Sequence, residues 1–401
     1  MDFSPQQQRA LDAFLGWYDA RKTPGGVYRL FGYAGTGKTT IAKTIAEQIE
    51  GQVIFAAFTG KAALVLNSKG CYGARTIHSL IYIPREKCAS TLTTLAEKLE
   101  TETDPDKRRE LQALYALERE NLKRPAFNLN LESELRAASL LILDEVSMVD
   151  MQIGQDLLSF ECPILALGDP AQLPPVRGCG FFTQAEPDFL LTEIHRQAAD
   201  SPILGMATHV RQGGRLEYGG PDAARVVPKG VLKAADLAKY DQVICGTNKT
   251  RRTINQHIRS QVMGVESPLP VIGDRIVCLR NDGDTGLLNG SQWDVNGVEQ
   301  DPTDENKLIL SIAAAGEKEA YTFQVTAHRQ FFLGTEEEIP HYEMREAQSF
   351  DYAYALTCHK SQGSQWPSVC IINESDVFKQ DRSRWLYTAV TRASEKVTVI
   401  Q

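Results

Sequence analysis

The chain opens with apolar and polar positions arranged in two rhythms. Val27–Phe31, Val53–Ala57, Ser139–Leu143 and Pro163–Leu167 are short, nearly continuous apolar runs. They do not alternate, so they predict strands buried on both faces, as in a parallel α/β sheet. Between them the spacing is helical. Leu11, Phe14, Leu15 and Tyr18 follow a Ser4-Pro5 start, and Ile41, Ile45 and Ile49 share one face of residues 39–49. Residues 84–132 leave this rhythm. Leu92, Leu95 and Leu99 recur at helical spacing among charges, and Asp104-Pro105 opens a second helical run through Leu111, Leu114, Tyr115 and Leu122. A helical insertion is expected there, and a solvated hairpin without a role of its own fits the same pattern. From about 190 the α/β rhythm resumes, with strand Val243–Cys245 and helix Thr250–Gln261.

Residues 286–345 switch to period two. Trp293 and Val295, then Leu308, Leu310 and Ile312, then Tyr321, Phe323 and Val325 alternate between Asn289-Gly290, Asn296-Gly297 and Ala315-Gly316. This predicts antiparallel structure, a small β-barrel inserted in the second α/β unit. Helix 383–392 and strand 396–400 close the chain. The expected organisation is one parallel unit from residues 1–83 and 133–185, with the insertion 84–132, and a second from 186–289 and 346–401, with the insertion 290–345.

A length of 401 residues agrees with more than one core. The 43 basic and 51 acidic residues give a net charge of −8, which argues against a general basic coat for nucleic acid but leaves room for a local basic channel. None of the 8 cysteines forms a C-x-x-C pair or a zinc-type spacing, so they read as reduced thiols of a cytoplasmic protein. Met1-Asp2-Phe3-Ser4-Pro5 has no secretory character, and no apolar run approaches the ~20 residues that span a bilayer, so no membrane partner is expected.

The chemistry concentrates at strand ends. Gly32-Tyr33-Ala34-Gly35-Thr36-Gly37-Lys38-Thr39, followed by Thr40, fits G-x-x-x-x-G-K-[ST] after a strand and before a helix. Its glycines let backbone N–H groups curl around a triphosphate at a helix N-terminus. Lys38 supplies a point charge to the β- and γ-phosphates and the Thr39 hydroxyl a ligand for Mg²⁺. Leu140–Leu143 ends in Asp144-Glu145, two carboxylates at the same sheet edge. Asp144 is the candidate partner of Mg²⁺ and Glu145 the group that polarises an attacking water. Gly168-Asp169-Pro170-Ala171-Gln172 ends the next run, and the Gln172 amide can read a γ-phosphate. ATP and Mg²⁺ are the expected ligands.

Taken together and in order, these residues resemble helicase superfamily one, in particular its RecD-like and Dda-like group. Gln7 resembles the adenine-reading glutamine. Phe58-Thr59-Gly60-Lys61-Ala62-Ala63, Thr76-Ile77-His78-Ser79-Leu80, Leu191-Thr192-Glu193-Ile194-His195-Arg196-Gln197, Tyr354–Ser364 and Tyr387-Thr388-Ala389-Val390-Thr391-Arg392-Ala393 are similar to further motifs of the group. The resemblance implies two RecA-like domains that clamp ATP between them. The second would supply Arg196 and Arg392 to the charge that develops on the γ-phosphoryl group, a contribution of roughly 10³–10⁵ in rate in other hydrolases. It also implies 5′-to-3′ movement along single-stranded DNA and action on forked duplexes, by a compact monomer. Phe58, Thr59, Lys61, Thr76, His78, Pro174, Pro175, Thr357, His359 and Ser361 are the candidate DNA contacts. His78 and His359 equally fit hydrogen-bonded core histidines. The pattern departs from the group at 84–132, where relatives usually place a β-hairpin wedge and this chain reads as helical, so a translocase or recombination accessory without strand separation stays open. A small-molecule kinase would need the phosphate loop but not Arg392 or a second α/β unit.

Overall fold

A computed structural model describes residues 3–21, 24–84, 90–102, 104–123, 127–175, 180–193, 200–282, 285–316, 321–340 and 343–401. The apolar runs become a six-stranded parallel sheet in the order Arg75–Thr76, Val53–Ala57, Leu140–Asp144, Ile164–Gly168, Val27–Gly32, Phe189–Leu191. Leu140 and Ile142 face a core with Phe14, Ile41 and Ile45, whereas Leu141 and Leu143 face another with Ile77, Leu157 and Phe182. One strand thus serves two cores, which is why its sequence is continuously apolar. Phe189–Leu191 pairs with Val27–Gly32, so this first lobe reaches past the expected limit at 185.

The insertion carries helices Ser90–Thr101 and Pro105–Lys123. Its base is a two-stranded antiparallel ribbon, in which Tyr82 lies opposite Leu129 and Pro84 opposite Phe127. The strand Tyr82–Pro84 is too short to show a period; it forms because Phe127–Leu129 returns beside it.

The second lobe is a five-stranded parallel sheet in the order Ala355–Thr357, Gln242–Cys245, Trp366–Ile372, Ala393–Ile400, Ala224–Val227. Helices Pro202–Arg211 and Arg382–Val390 pack Ile203, Ala207, Val210, Trp385, Leu386, Tyr387 and Val390 into its core. Leu173, from the first lobe's loop, is buried in that same core.

A third sheet is antiparallel, in the order Phe323–His328, Lys307–Ala314, Gln292–Gln300, Arg275–Cys278, Phe350–Tyr352. It draws two strands from outside 290–345. Val295, Leu308, Leu310, Ile312 and Val325 point into its core as their alternation predicts. Tyr321 does not; it is 84% exposed, ahead of the strand that begins at Phe323. A single bridge, Ala327 to Gln348, links the edge strands, and among the described residues no continuous ladder closes them into a barrel. A buried ion pair roots this sheet on helix Asn248–Gln261. Arg259 Nε lies 2.9 Å from Asp274 Oδ1, and Tyr354 Oη donates to the same carboxylate at 2.8 Å.

Among the described residues no helix is long and apolar enough to cross a membrane, and six cysteines are free and buried.

Candidate nucleotide-binding site

The phosphate loop leaves the strand Val27–Gly32 and enters helix Lys38–Gln48. Gly35 and Gly37 have φ of +78° and +82°, left-handed values that disfavour any side chain. A Cβ on Gly37 would lie 2.4 Å from Gln7 Nε2, and one on Gly32 2.6 Å from Thr36 Oγ1. The loop is therefore a cradle that only glycine leaves open. Lys38 Nζ donates to the carbonyls of Gly32 at 2.6 Å and Tyr33 at 3.2 Å, so its charge sits within the loop's curl. The Thr36 hydroxyl is turned inward to the Tyr33 carbonyl, and Thr39 and Thr40 stand in the first helical turn.

Asp144 and Glu145 end the central strand beside this loop. Glu145 has φ +54°, a strained conformation for a side-chain-bearing residue, with its N–H bonded to Asp144 Oδ1 at 2.9 Å. Burial pushes the Asp144 carboxyl up, the Glu145 carboxylate adds to the push, and Lys38 pulls it back. A site that raises a carboxyl in this way is suited to a cation carried in with the substrate. Among the described residues no group of three or more His, Cys, Asp or Glu could hold a metal by itself, so Mg²⁺ would need phosphate oxygens as further ligands. Gln172 is 7% exposed and its Oε1 has no hydrogen-bond partner. A buried acceptor left unpaired is costly unless a ligand or water completes it. The glycine cradle, Lys38 and the raised carboxyl together fit a magnesium–triphosphate, and Gln172 Oε1 is free to accept from a water beside it.

The second lobe closes directly on this edge. Tyr387 Oη accepts from Ala34 N at 2.9 Å and donates to Asp169 Oδ2 at 2.6 Å. Thr388 Oγ1 accepts from Leu173 N at 2.9 Å, and Gln362 Nε2 donates to the Leu173 carbonyl at 3.0 Å. Arg211 lies 3.5 Å from the centre of the Tyr33 ring. A cavity of about 500 Å³ opens beside them, lined by Ala171, Arg211, Gln380, Asp381, Ser383 and Arg384.

Two expected groups sit differently. Arg392 is 6% exposed, and its guanidinium donates to Thr388 O, Ser364 O and Thr391 Oγ1 at 3.0–3.2 Å, all within its own lobe. It therefore makes no contact with the phosphate loop in this arrangement, because nearer acceptors satisfy it. Gln7 is buried with both amide ends in use: Oε1 accepts from Ser4 N in a helix capping box, and Nε2 donates to Thr36 O. It braces the loop and does not face outward. Arg196 lies outside the described residues.

The remaining candidates line strand ends in both lobes. Thr59, Thr76 and Thr357 cap the helices Gly60–Ser68, Ile77–Ile81 and Cys358–Ser361, accepting from Ala62 N, Ser79 N and Lys360 N. Their hydroxyls are engaged, and Thr76 and Thr357 are buried, so the helices' free first-turn N–H groups are what they leave for a phosphate. Ser361 is fully buried and donates to the Cys358 carbonyl, which removes it from any interface. Lys61 Nζ reaches across to the second lobe, 4.4 Å from the centre of the Trp366 ring. His78 belongs to an aromatic group with Phe58, Tyr82 and Phe127, and His359 packs on Phe378; burial lowers the pKa of both imidazoles. Pro174 and Pro175 are half-buried at the seam.

Comparison with known proteins decides the family. The family model described as an AAA domain matches residues 2–220, more than half of the chain, and that of the UvrD-like helicase C-terminal domain matches residues 352–400. The chain belongs to this AAA-domain family. It is 26% identical to the ATP-dependent RecD2 DNA helicase of Deinococcus radiodurans over 92% of this chain. It spans only 46% of that relative's length. Among solved structures it is similar to Pif1 helicases described as unwinding forked double-stranded DNA, at a TM-score of 0.56 and 19% identity, covering 100% of this chain and 92% of that one. It is also similar to a Bacteroides Pif1 described as bound to single-stranded DNA, at 0.53 and 18%, covering 100% and 92%. At such identities the likeness is one of fold.

For this AAA-domain chain, sequence reasoning missed Tyr387, Gln362, Trp366 and Arg211. Tyr387 stands in the same short segment as Arg392, but a tyrosine inside an apolar helix reads as core. Only the approach of the two lobes reveals its polar end.

Proposed function

We propose that this chain hydrolyses ATP to move 5′-to-3′ along single-stranded DNA and to unwind forked duplexes, with residues 1–83 and 133–191 as the first motor domain and the parallel-sheet lobe from 200 onward as the second. The observation that carries this reading is the seam: the phosphate loop and the loop 169–173 are both held by the second lobe, at Ala34, Asp169 and Leu173. A change at the phosphates is then a change in how the lobes meet. The names of its relatives, a DNA helicase and Pif1 proteins with single-stranded and forked DNA, agree with that use.

In this mechanism Lys38 and the first-turn N–H groups of helix Lys38–Gln48 bind the phosphates. Thr39 and Asp144 would hold Mg²⁺, whose charge offsets that of the phosphate oxygens. Glu145 takes a hydrogen bond from the attacking water and orients it, with Gln172 Oε1 as a second acceptor. Arg392 joins only by exchanging its three present acceptors for phosphate oxygens, and Arg196 is proposed as its companion. Strand contacts come from Lys61, the N–H groups behind Thr59, Thr76 and Thr357, and the faces of Phe58, His78, Pro174, Pro175 and His359. The ribbon Tyr82–Pro84 with Phe127–Leu129 gives the insertion a mount on the first lobe.

The test is ATPase activity with and without oligo-dT, with forked duplexes bearing a 5′ or a 3′ tail. Stimulation by the oligonucleotide and unwinding of the 5′-tailed fork are expected. Stimulation without unwinding would leave a translocase, and no stimulation would refute the motor.

A further inference from the structure

Two side chains grip one turn of the phosphate loop from opposite lobes. Lys38 holds the carbonyls of Gly32 and Tyr33 from within the first lobe. Tyr387 holds the next residue, Ala34, through its N–H from the second. Tyr387 is 2% exposed, and its one polar atom has both roles filled: it donates to Asp169 and accepts from Ala34. Burial, reinforced by the Asp169 carboxylate, raises its pKa and keeps the donating proton on the phenol. Asp169 is itself fixed by Ala171 N at 2.9 Å. One residue along the same helix, Thr388 holds Leu173, the neighbour of Gln172. Consecutive residues of helix Arg382–Val390 thus seize the phosphate loop and the amide-bearing loop together. Phenylalanine has the shape to fill the place and can make neither bond.

We propose that Tyr387 is a positioning residue for the terminal phosphate: through Ala34 and Asp169 it sets the phosphate loop against the second lobe and makes the grip on single-stranded DNA depend on whether the nucleotide is a tri- or a diphosphate. This rests on the ATP-driven reading above. A terminal phosphate that reaches the loop beside Lys38 competes with the phenol for the Ala34 N–H, and a diphosphate does not. The phenol's release or retention moves helix Arg382–Val390, and with it Leu173, Gln362 and the strand end at Thr357.

The experiment measures the dissociation constant of fluorescein-labelled oligo-dT by anisotropy, with no nucleotide, with ADP and with a non-hydrolysable ATP analogue, and the affinity of mant-ADP in parallel. For the wild-type chain the analogue and ADP states should differ by roughly tenfold, within the usual range of coupling between sites. Tyr387→Phe should bring them within about twofold while mant-ADP affinity stays within about threefold. Asp169→Ala, which removes the phenol's anchor, should do the same. A merely structural role for Tyr387 would lower all affinities together and leave their ratio alone. A wild-type ratio in Tyr387→Phe or, should that variant not fold, in Asp169→Ala overturns the inference and leaves the ATPase reading standing. A wild-type chain that binds neither analogue nor mant-ADP overturns both.

Discussion

Lys61 offers a quantitative handle on strand binding, because its pKa is out of place. Burial lowers it from 10.5 to about 8, with the ammonium against the Trp366 ring of the other lobe. A DNA phosphate brought to this ammonium favours the charged form and returns the pKa toward its ordinary value. The free chain then loses the proton near pH 8 and the complex keeps it to above pH 10. At pH 7 Lys61 is roughly nine-tenths protonated and at pH 9 roughly one-tenth, so affinity for oligo-dT should fall about tenfold between them, about 1.4 kcal/mol. Complete restoration sets a ceiling of about 3 kcal/mol, on the order of a hundredfold or more, at higher pH. Folding carries the opposite sign. The unfolded chain binds the extra proton between pH 8 and 10.5, so Lys61's contribution to stability improves as pH rises through that window. Anisotropy at fixed ionic strength from pH 6.5 to 9.5 measures the binding slope. Lys61→Arg keeps the cation and its place over Trp366, and its slope should be flat. A flat wild-type profile, or an equal slope in Lys61→Arg, would refute the assignment of Lys61 to the strand path.

Lys38→Ala should reduce ATP turnover to background with an unchanged far-UV spectrum, because its bonds are to loop carbonyls and not to the core; wild-type-like hydrolysis would remove the phosphate site. Arg392→Ala should cut kcat by roughly 10³ or more with little change in nucleotide affinity. It should also lower the melting temperature, since it leaves Ser364 O without its Arg392 donor at about 1–3 kcal/mol, while Thr388 O keeps the Thr391 hydroxyl; a loss of affinity with kcat intact would make it a binding residue. Arg259→Met should destabilise the chain by about 3–5 kcal/mol in urea unfolding, because Asp274, 0% exposed, would keep an unpaired charge.

The sequence by itself determined the strands that serve two cores, since a run such as Leu140–Leu143 cannot lie with one face in water. It also determined the phosphate loop, whose Gly37 leaves a cradle that any Cβ would fill against Gln7. Asp144 and Glu145 were legible for the same reason: a charged pair after an apolar strand has only the sheet edge to occupy. Features that depend on two distant segments meeting were decided by the tertiary structure alone. Tyr82–Pro84 is a strand because Phe127–Leu129 comes back to it, and Phe189–Leu191 belongs to the first lobe because Val27–Gly32 has an open edge. Thr76 and Ser361 turn inward because local donors and acceptors within hydrogen-bond reach outcompete a distant phosphate. Arg392 is held by its own lobe for the same reason, and Tyr387 gains its polar partners only where the lobes touch. Periodicity along a chain reports which face is dry; it carries no information about which buried hydroxyl finds which distant N–H, and in this protein that pairing joins the two lobes.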